Sequence, residues 1–315
     1  MPSPCSSSLS RWESPSSCSA FCGATTTFSR RPAIATHAAR PLVFAGKSVL
    51  YFFLIVLAVL QIFPLVWVFN YSILKSGDLF GTELIKIPVD PQWVNYHRAW
   101  VDGKILRYFI NSTIVVVGSV LASTFFSFCM AYAIVRMKGK LVPLALVAVT
   151  AGMVVPVHTT LLPNFIWFGY FRLIDTHLGL IIPYVAFTLS FNTLVYMGQL
   201  RTLPRSMEES AFIDGCSWPR ILWSVVAPMS VPATVTVFVM TFLNNWNEFI
   251  MAYVYLATDN LRTLPFSMIK FQGEYRSDYA IQFACMFLVA VVPLILYFFF
   301  SRRIMAGVTA GALKG

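Results

Sequence analysis

Residues 108–135 read YFINSTIVVVGSVLASTFFSFCMAYAIV, 28 consecutive positions without Asp, Glu, Lys or Arg. A helix rising 1.5 Å per residue needs about 20 apolar residues to cross a hydrocarbon core of about 30 Å. This run is therefore long enough for one crossing and too short for two. Five more charge-free runs flank it, at 48–74, 141–171, 176–200, 221–247 and 279–301. The same arithmetic places six membrane helices near 49–70, 109–133, 141–164, 178–198, 227–251 and 281–300. Pro156, Pro163, Pro228 and Pro232 make the ends of the third and fifth the least defined.

Composition supports that reading. Of 315 residues, 57% are hydrophobic and only 11% charged, against about 25% charged in an ordinary soluble domain. A soluble domain of this size could not hide so much apolar surface. The net charge of +10 lies mostly at helix borders, without the dense Lys/Arg tracts of a nucleic-acid binder. Arg40 and Lys47 precede the first span, Arg136, Lys138 and Lys140 fill the 2–3 connection, and Arg302, Arg303 and Lys314 follow the sixth. Short basic segments stay cytoplasmic, so both termini and the 2–3 and 4–5 connections are expected inside. The first outer connection dissents in part, carrying Lys75, Lys86, Arg98, Lys104 and Arg107 against four acids.

Residues 1–45 are different in kind: Ser-rich and acid-poor, without the apolar core of a signal peptide. They read as a disordered extension ahead of a transmembrane domain covering 46–315. Cys129, Cys216 and Cys285 sit in or beside apolar helices and read as small buried side chains. No His/Cys/carboxylate spacing suits a metal, and no nucleophile–base pair suits catalysis, so no metal, cofactor or catalytic residue is assigned.

The 4–5 connection is the most specific segment. Residues 201–219 read RTLPRSMEESAFIDGCSWP. Ser206 with Glu209 three residues later has the form of a capping box, Glu208 and Glu209 suit the positive end of a helix, and Gly215 suits a left-handed stop. These signals predict a short helix over Met207–Asp214 and a second start at Ser217-Trp-Pro. A helix this short is unstable alone in water, so it must dock on something. Met207, Ala211 and Phe212 form a side that could enter a partner's groove, flanked by Glu208 and Asp214. Packing on its own bundle is the alternative.

Together these residues resemble permease subunits of bacterial binding-protein-dependent ABC importers. More narrowly, the chain is similar to the MalG-like carbohydrate-uptake branch. The resemblance rests on Glu208-Glu-Ser-Ala-Phe-Ile-Asp-Gly followed by Ile221 and Ala227-Pro228, on Leu180-Ile-Ile-Pro-Tyr, Phe242-Leu-Asn-Asn-Trp-Asn-Glu-Phe and Phe271-Gln-Gly-Glu-Tyr, and on the Gly307–Gly315 ending. It covers about residue 45 to 315. It implies a type I ABC importer permease bundle in the bacterial inner membrane. A second permease subunit, two cytoplasmic ATPase subunits that carry ATP and Mg, and an external solute-binding protein would complete the transporter. Glu208, Glu209, Ala211, Phe212, Asp214 and Gly215 would form the helix that couples to an ATPase. Ser210, Phe212 and Cys216 depart from the family pattern, and Phe212 is the departure that could alter which ATPase fits. No phosphate-binding loop occurs in this chain.

Asn244, Asn245, Trp246, Asn247 and Glu248, in span five, read either as a polar pathway or gate cluster or as structural interface groups. Gln61, Asn70, Asn111 and Ser112 read as hydrogen-bonding glue between helices. His158 reads as a neutral histidine in a kinked helix, with a pathway position as the alternative. In the outer loops, Gln272, Glu274 and Tyr275 with Trp93, Tyr96 and Trp100 could meet a binding protein or anchor the interface. The Gly307–Gly315 tail reads as a flexible strand or coil of small residues, which the resemblance implies reaches the ATPase interface, with a frayed terminus as the alternative. The competing class is an ion-gradient-driven secondary transporter, for which Glu248 and His158 would have to supply coupling.

Overall fold

The computed structural model describes residues 39–79, 86–273 and 277–312, with side chains described between 47 and 300 in those ranges. All regular structure among the described residues is helical. The chain divides into two compact units, 1–58 and 59–315. Helix α1 (Ala39–Ser72) begins ahead of the boundary expected at residue 46. Residues 1–38 of the Ser-rich stretch lie outside the described residues. Within the first unit, every side chain from Lys47 to Ala58 is exposed.

The second unit continues through α2 (Val94–Val101), α3 (Ile105–Arg136), α4 (Leu141–Gly152), α5 (Leu161–Tyr170), α6 (Leu178–Thr202), α7 (Ser206–Ile213), α8 (Trp218–Ile221), α9 (Ala227–Met229), α10 (Val231–Trp246), α11 (Ile250–Tyr255) and α12 (Tyr279–Ala312). Four helical stretches are long and apolar enough to cross a membrane unbroken: Lys47–Ser72, Ile105–Arg136, Leu178–Thr202 and Tyr279–Phe300.

The third and fifth crossings are broken, where the sequence suggested continuous spans over 141–164 and 227–251. The third is Leu141–Gly152 plus Val157–Tyr170, bent by 98°; the fifth is Trp218–Met229 plus Val231–Trp246, bent by 78°. Counting each bent pair as one span gives six crossings. The prolines explain the breaks. Pro156 takes an extended conformation (ψ 127°) and biases the residue before it away from helix. Pro228 falls two residues before Ser230, where the half Trp218–Met229 ends, and Pro232 is the second residue of α10, where a missing N–H costs little. His158 is exposed in the turn Val157–Thr160 at the 98° bend, outside any helix interior.

Serines spaced by four residues (Ser119, Ser123 and Ser127) line the buried side of α3. Small residues let membrane helices approach closely, and their hydroxyls supply polar contacts. Asn192 of α6 donates to Ser123 Oγ and to Thr241 Oγ1 of α10, both at 2.8 Å. One amide thus ties three helices together. Apolar clusters close the two ends. Tyr108, Trp246, Leu264 and Ile281 pack toward one end, and Phe128, Tyr196, Leu200 and Ile221 toward the other.

Helix α12 runs to Ala312, which corrects the coil expected from Gly307 onward. Each glycine costs about 1 kcal/mol relative to alanine in a helix, but no proline follows to stop propagation. Residues 313–315 lie outside the described ones.

Candidate functional site

The short helix after the fourth span forms one residue early, as α7 (Ser206–Ile213). The capping box does not form. Arg205 is already in helical conformation (φ −66°, ψ −27°) and no side chain caps the helix. Its carbonyl accepts the amides of Glu208 and Glu209, both at 3.0 Å, so Ser206 lies inside the turn rather than ahead of it. The helix ends as read from sequence. Gly215 takes φ +80°, its amide donates to Phe212 O at 3.0 Å, and the Cys216 amide donates to Ala211 O at 3.0 Å. This bond pair is the Schellman stop that a left-handed glycine permits. Ser217 precedes Trp218 and Pro219 of α8, again without a side-chain cap.

The two sides of α7 do different things. Glu208 turns into the bundle: its Oε1 lies 2.7 Å from Arg136 Nε at the end of α3, with the two side chains 11% and 6% exposed. Tyr132 donates to Glu208 Oε2 at 3.1 Å, and Arg136 also donates to Leu203 O at 3.0 Å. Ala211 is half-buried against the same end of the bundle. The outward side carries Phe212 at 56% and Ile213 at 84% exposure, with Met207, Glu209, Asp214 and Gly215 also exposed. The groove-facing side expected from Met207, Ala211 and Phe212 is therefore split, with Ala211 and Glu208 packed inward. Beside α7 a 310 Å³ hollow is lined by Arg136, Arg205, Glu208, Glu209, Phe212, Ile213 and Trp218. Arg205 also donates to Val135 O at 3.3 Å, so α3's last turn and the 4–5 connection share one end of the bundle.

The span-five cluster divides as well. Asn245 is buried and donates to Ser119 Oγ at 2.8 Å. Trp246 is buried, stacked on Phe242 with centroids 5.2 Å apart. Glu248 receives Tyr184 OH at 2.6 Å, the Met251 amide at 2.8 Å and the Ala252 amide at 3.3 Å. Its carboxylate thus caps the start of α11 and ties it to α6. Asn244 and Asn247 are exposed, and Asn247 donates to Leu243 O at 2.9 Å. The cluster therefore splits into three structural members and two that face outward.

At the opposite end, Asn111 and Ser112 bond a loop instead of a neighbouring helix. Asn111 donates to the carbonyls of Asn260 and Arg262 at 2.8 and 2.9 Å, and Ser112 Oγ accepts the Leu264 amide at 2.8 Å. Gln61 is exposed, and the Asn70 side-chain oxygen finds no partner among the described residues. Asp259 accepts from Lys104 at 2.5 Å and from Tyr108. Burial pushes the Asp259 carboxyl up, but the bonds from Lys104 and Tyr108 outweigh it and hold the group below its ordinary range. Asp175 accepts Thr258 Oγ1 at 2.5 Å and the amides of Ala257 and Thr258 at 3.0 and 2.9 Å. The Thr258 hydroxyl leads in holding that carboxyl low. Among the outer aromatics, Tyr96 pairs with Ser72 Oγ at 2.7 Å, while Trp93 and Trp100 are exposed. Gln272 is exposed, and Glu274 and Tyr275 lie outside the described residues.

Sequence reasoning misses Arg136 as Glu208's partner, and Asn192, Ser123 and Thr241 as the inner polar knot. By sequence Arg136 is one border charge among several. A serine every four residues on α3 is a readable sign of a polar seam.

A helical membrane bundle with two broken crossings and a short, partly exposed helix at one end is the build of an importer's membrane-spanning permease subunit. The chain belongs to the family of binding-protein-dependent transport system inner membrane components, which matches residues 33–309. It is a multi-pass transport subunit and not an enzyme. It is 31% identical over 273 residues to the sulfoquinovosyl glycerol transport system permease protein SmoH of Agrobacterium fabrum, covering 86% of this chain and 95% of that one. It is 30% identical over 269 residues to the probable starch degradation products transport system permease protein AmyC of Thermoanaerobacterium thermosulfurigenes, covering 85% and 97%. Its fold is similar to a chain of a bacterial ABC transporter involved in the import of the acidic polysaccharide alginate. The TM-score is 0.65 at 20% identity, over 85% of this chain and 98% of that chain.

Proposed function

We propose that the chain carries a sugar or related polar solute inward, delivered by an external binding protein and driven by ATP hydrolysis on separate cytoplasmic subunits. Sugar-type cargo is supported by the relatives' own described substrates, a sulfoquinovosyl glycerol and starch degradation products. The observation that carries the mechanism is the division of α7. Glu208 fastens its inner side to α3, while Phe212 and Ile213 stand exposed beside Glu209 and Asp214. A helix held rigidly on one side and apolar on the other can enter a partner's groove and pass its displacement to the bundle. In this reading Glu209, Phe212, Asp214 and Ile213 face the ATPase, which carries the ATP and Mg. Glu208 and Ala211 join α7 to the permease, and Gly215 allows the sharp exit. A second permease subunit completes the path.

Asn244 and Asn247 are the members of the span-five cluster suited to line that path, since amides not buried in the bundle can exchange water for solute hydroxyls. Glu248 is spent on Tyr184 and two amides, which removes the mid-membrane carboxylate that an ion-coupled transporter would need. The test is uptake in vesicles containing the assembled transporter and loaded binding protein. ATP supports uptake and an imposed ion or proton gradient alone does not; uptake driven by the gradient without ATP overturns the proposal.

A further inference from the structure

The end of the molecule opposite α7 carries several ion pairs, and the start of α3 carries cations beyond them. Lys75 Nζ lies 3.0 Å from Asp90, Arg98 lies 3.1 Å from Asp278, and Lys104 lies 2.5 Å from Asp259. These pairs explain how a connection rich in basic residues sits on the outer side. Arg107 differs: its Nε donates to the Asn260 carbonyl at 3.2 Å, and no carboxylate among the described residues pairs with it. Lys270 adds a further cation, sharing Asp259 at 3.9 Å. Positive charge is therefore in excess around the start of α3.

That excess borders a cavity of 660 Å³ lined by Trp100, Lys104, Leu106, Arg107, Ile110 and the Asn260 loop, among others. The cavity straddles the first turns of a membrane-crossing helix, at the level where polar headgroups meet hydrocarbon. Its apolar wall continues down α3. Leu106, Ile110, Ile114, Val117 and Leu121 are 51, 48, 49, 45 and 61% exposed and recur at intervals of four or three, on one face. From Ile110 to Leu121 the stripe is roughly 16 Å long at 1.5 Å per residue, close to one leaflet of a core of about 30 Å.

We infer that this cavity holds the phosphate headgroup of an anionic phospholipid from the outer leaflet. Arg107 and Lys104 meet the phosphate, Trp100 stands at the interface and an acyl chain lies along the α3 stripe. A soluble anion would use only the cationic head of this arrangement, and a neutral lipid would leave its excess charge unanswered. Arg107 bonds Asn260 and Lys104 bonds Asp259, so both cations are held in place before a lipid arrives and little side-chain order remains to be lost.

The test uses the assembled transporter in nanodiscs of phosphatidylcholine containing a minor share of phosphatidylglycerol, with retained lipids counted by native mass spectrometry. The wild type retains phosphatidylglycerol in preference to phosphatidylcholine. Arg107→Gln lowers that occupancy roughly tenfold or more, as loss of a charge-assisted contact implies, whereas Arg107→Lys keeps most of it. Ile114→Ser also weakens retention by roughening the acyl groove. Inorganic phosphate at millimolar concentration does not displace the lipid. Equal retention of the two lipids, unchanged retention in an Arg107→Gln/Lys104→Gln double variant, or displacement by inorganic phosphate would overturn the inference. So would a disulfide between Ile114→Cys and a cysteine in the second permease subunit, because the stripe would then be a protein interface.

Discussion

Breaking the Arg136–Glu208 pair should uncouple the transporter before it unfolds it. At 2.7 Å and an effective dielectric of 20, two unit charges attract by about 6 kcal/mol. Desolvation offsets part of that attraction, and removing one partner of a buried pair typically costs about 3–5 kcal/mol, because the other charge is left without compensation. The side chains are 6% and 11% exposed, so water can restore little of the loss. Glu208→Gln leaves Arg136 buried without a countercharge, with only neutral acceptors in reach: the new amide oxygen and the Leu203 carbonyl at 3.0 Å. Arg136→Met with Glu208→Gln leaves no buried charge and is expected to recover most of the stability. The assays are thermal denaturation of the purified complex and the ratio of solute moved to ATP hydrolysed in proteoliposomes. The single variant Glu208→Gln should hydrolyse ATP with little transport. The double variant should melt near the wild type but stay partly uncoupled, because α7 is then held to α3 by packing alone. Wild-type coupling and wild-type melting in Glu208→Gln would refute the reasoning.

Two further predictions concern Gly215 and Asp175. Gly215 sits at φ +80°, and a Cβ added there would meet nothing within 4 Å, so any penalty comes from backbone strain rather than crowding. Gly215→Val, β-branched in a left-handed conformation, should cost about 1–2 kcal/mol and abolish transport while membrane insertion persists. Gly215→Asn, which tolerates that conformation, should keep substantial transport. Equal uptake by the Val and Asn variants would show that the left-handed stop is dispensable. For Asp175, the Thr258 hydroxyl and two amides hold the carboxyl below its ordinary value. A depressed folded-state pKa contributes stability that is fully present above the unfolded value of about 3.9 and is lost as pH falls through the folded value. Melting temperature should therefore lose part of its acid dependence in Asp175→Asn, and the wild-type and variant curves should be parallel from about pH 6 to 8. A gap that opens toward alkaline pH would contradict the assignment.

The crossings are legible because charge avoidance over about 20 or more residues is a long-range signal that local detail cannot blur. Where each crossing bends is only partly legible. The prolines mark the third and fifth spans, but the 98° and 78° turns depend on what the broken halves pack against. Gly215 is readable because few residues other than glycine enter the left-handed region easily. The capping box at Ser206 misleads because Arg205 adopts helical angles, and sequence does not reveal where the first turn is nucleated. Most of the candidate site's division of labour is out of reach. Glu208 and Glu209 are neighbours of the same type, yet a helix turns successive side chains about 100° apart, so one meets Arg136 and the other meets solvent. Only the position of α3's last turn decides which is which. The same holds for Asn244 and Asn245, one exposed and one bonded to Ser119.

The central claim is that the exposed edge of α7 faces the cytoplasm and lies under the ATPase. Ile213→Cys, in a chain whose six native cysteines (Cys5, Cys18, Cys22, Cys129, Cys216 and Cys285) are replaced by Ser, can be treated with a membrane-impermeant maleimide in right-side-out vesicles and in inside-out vesicles with and without bound ATPase subunits. Labelling should occur in the stripped inside-out vesicles, fall when the ATPase subunits are restored, and be absent from the right-side-out preparation. Labelling from the outer face, or labelling from the inner face that the ATPase subunits leave unchanged, would contradict it.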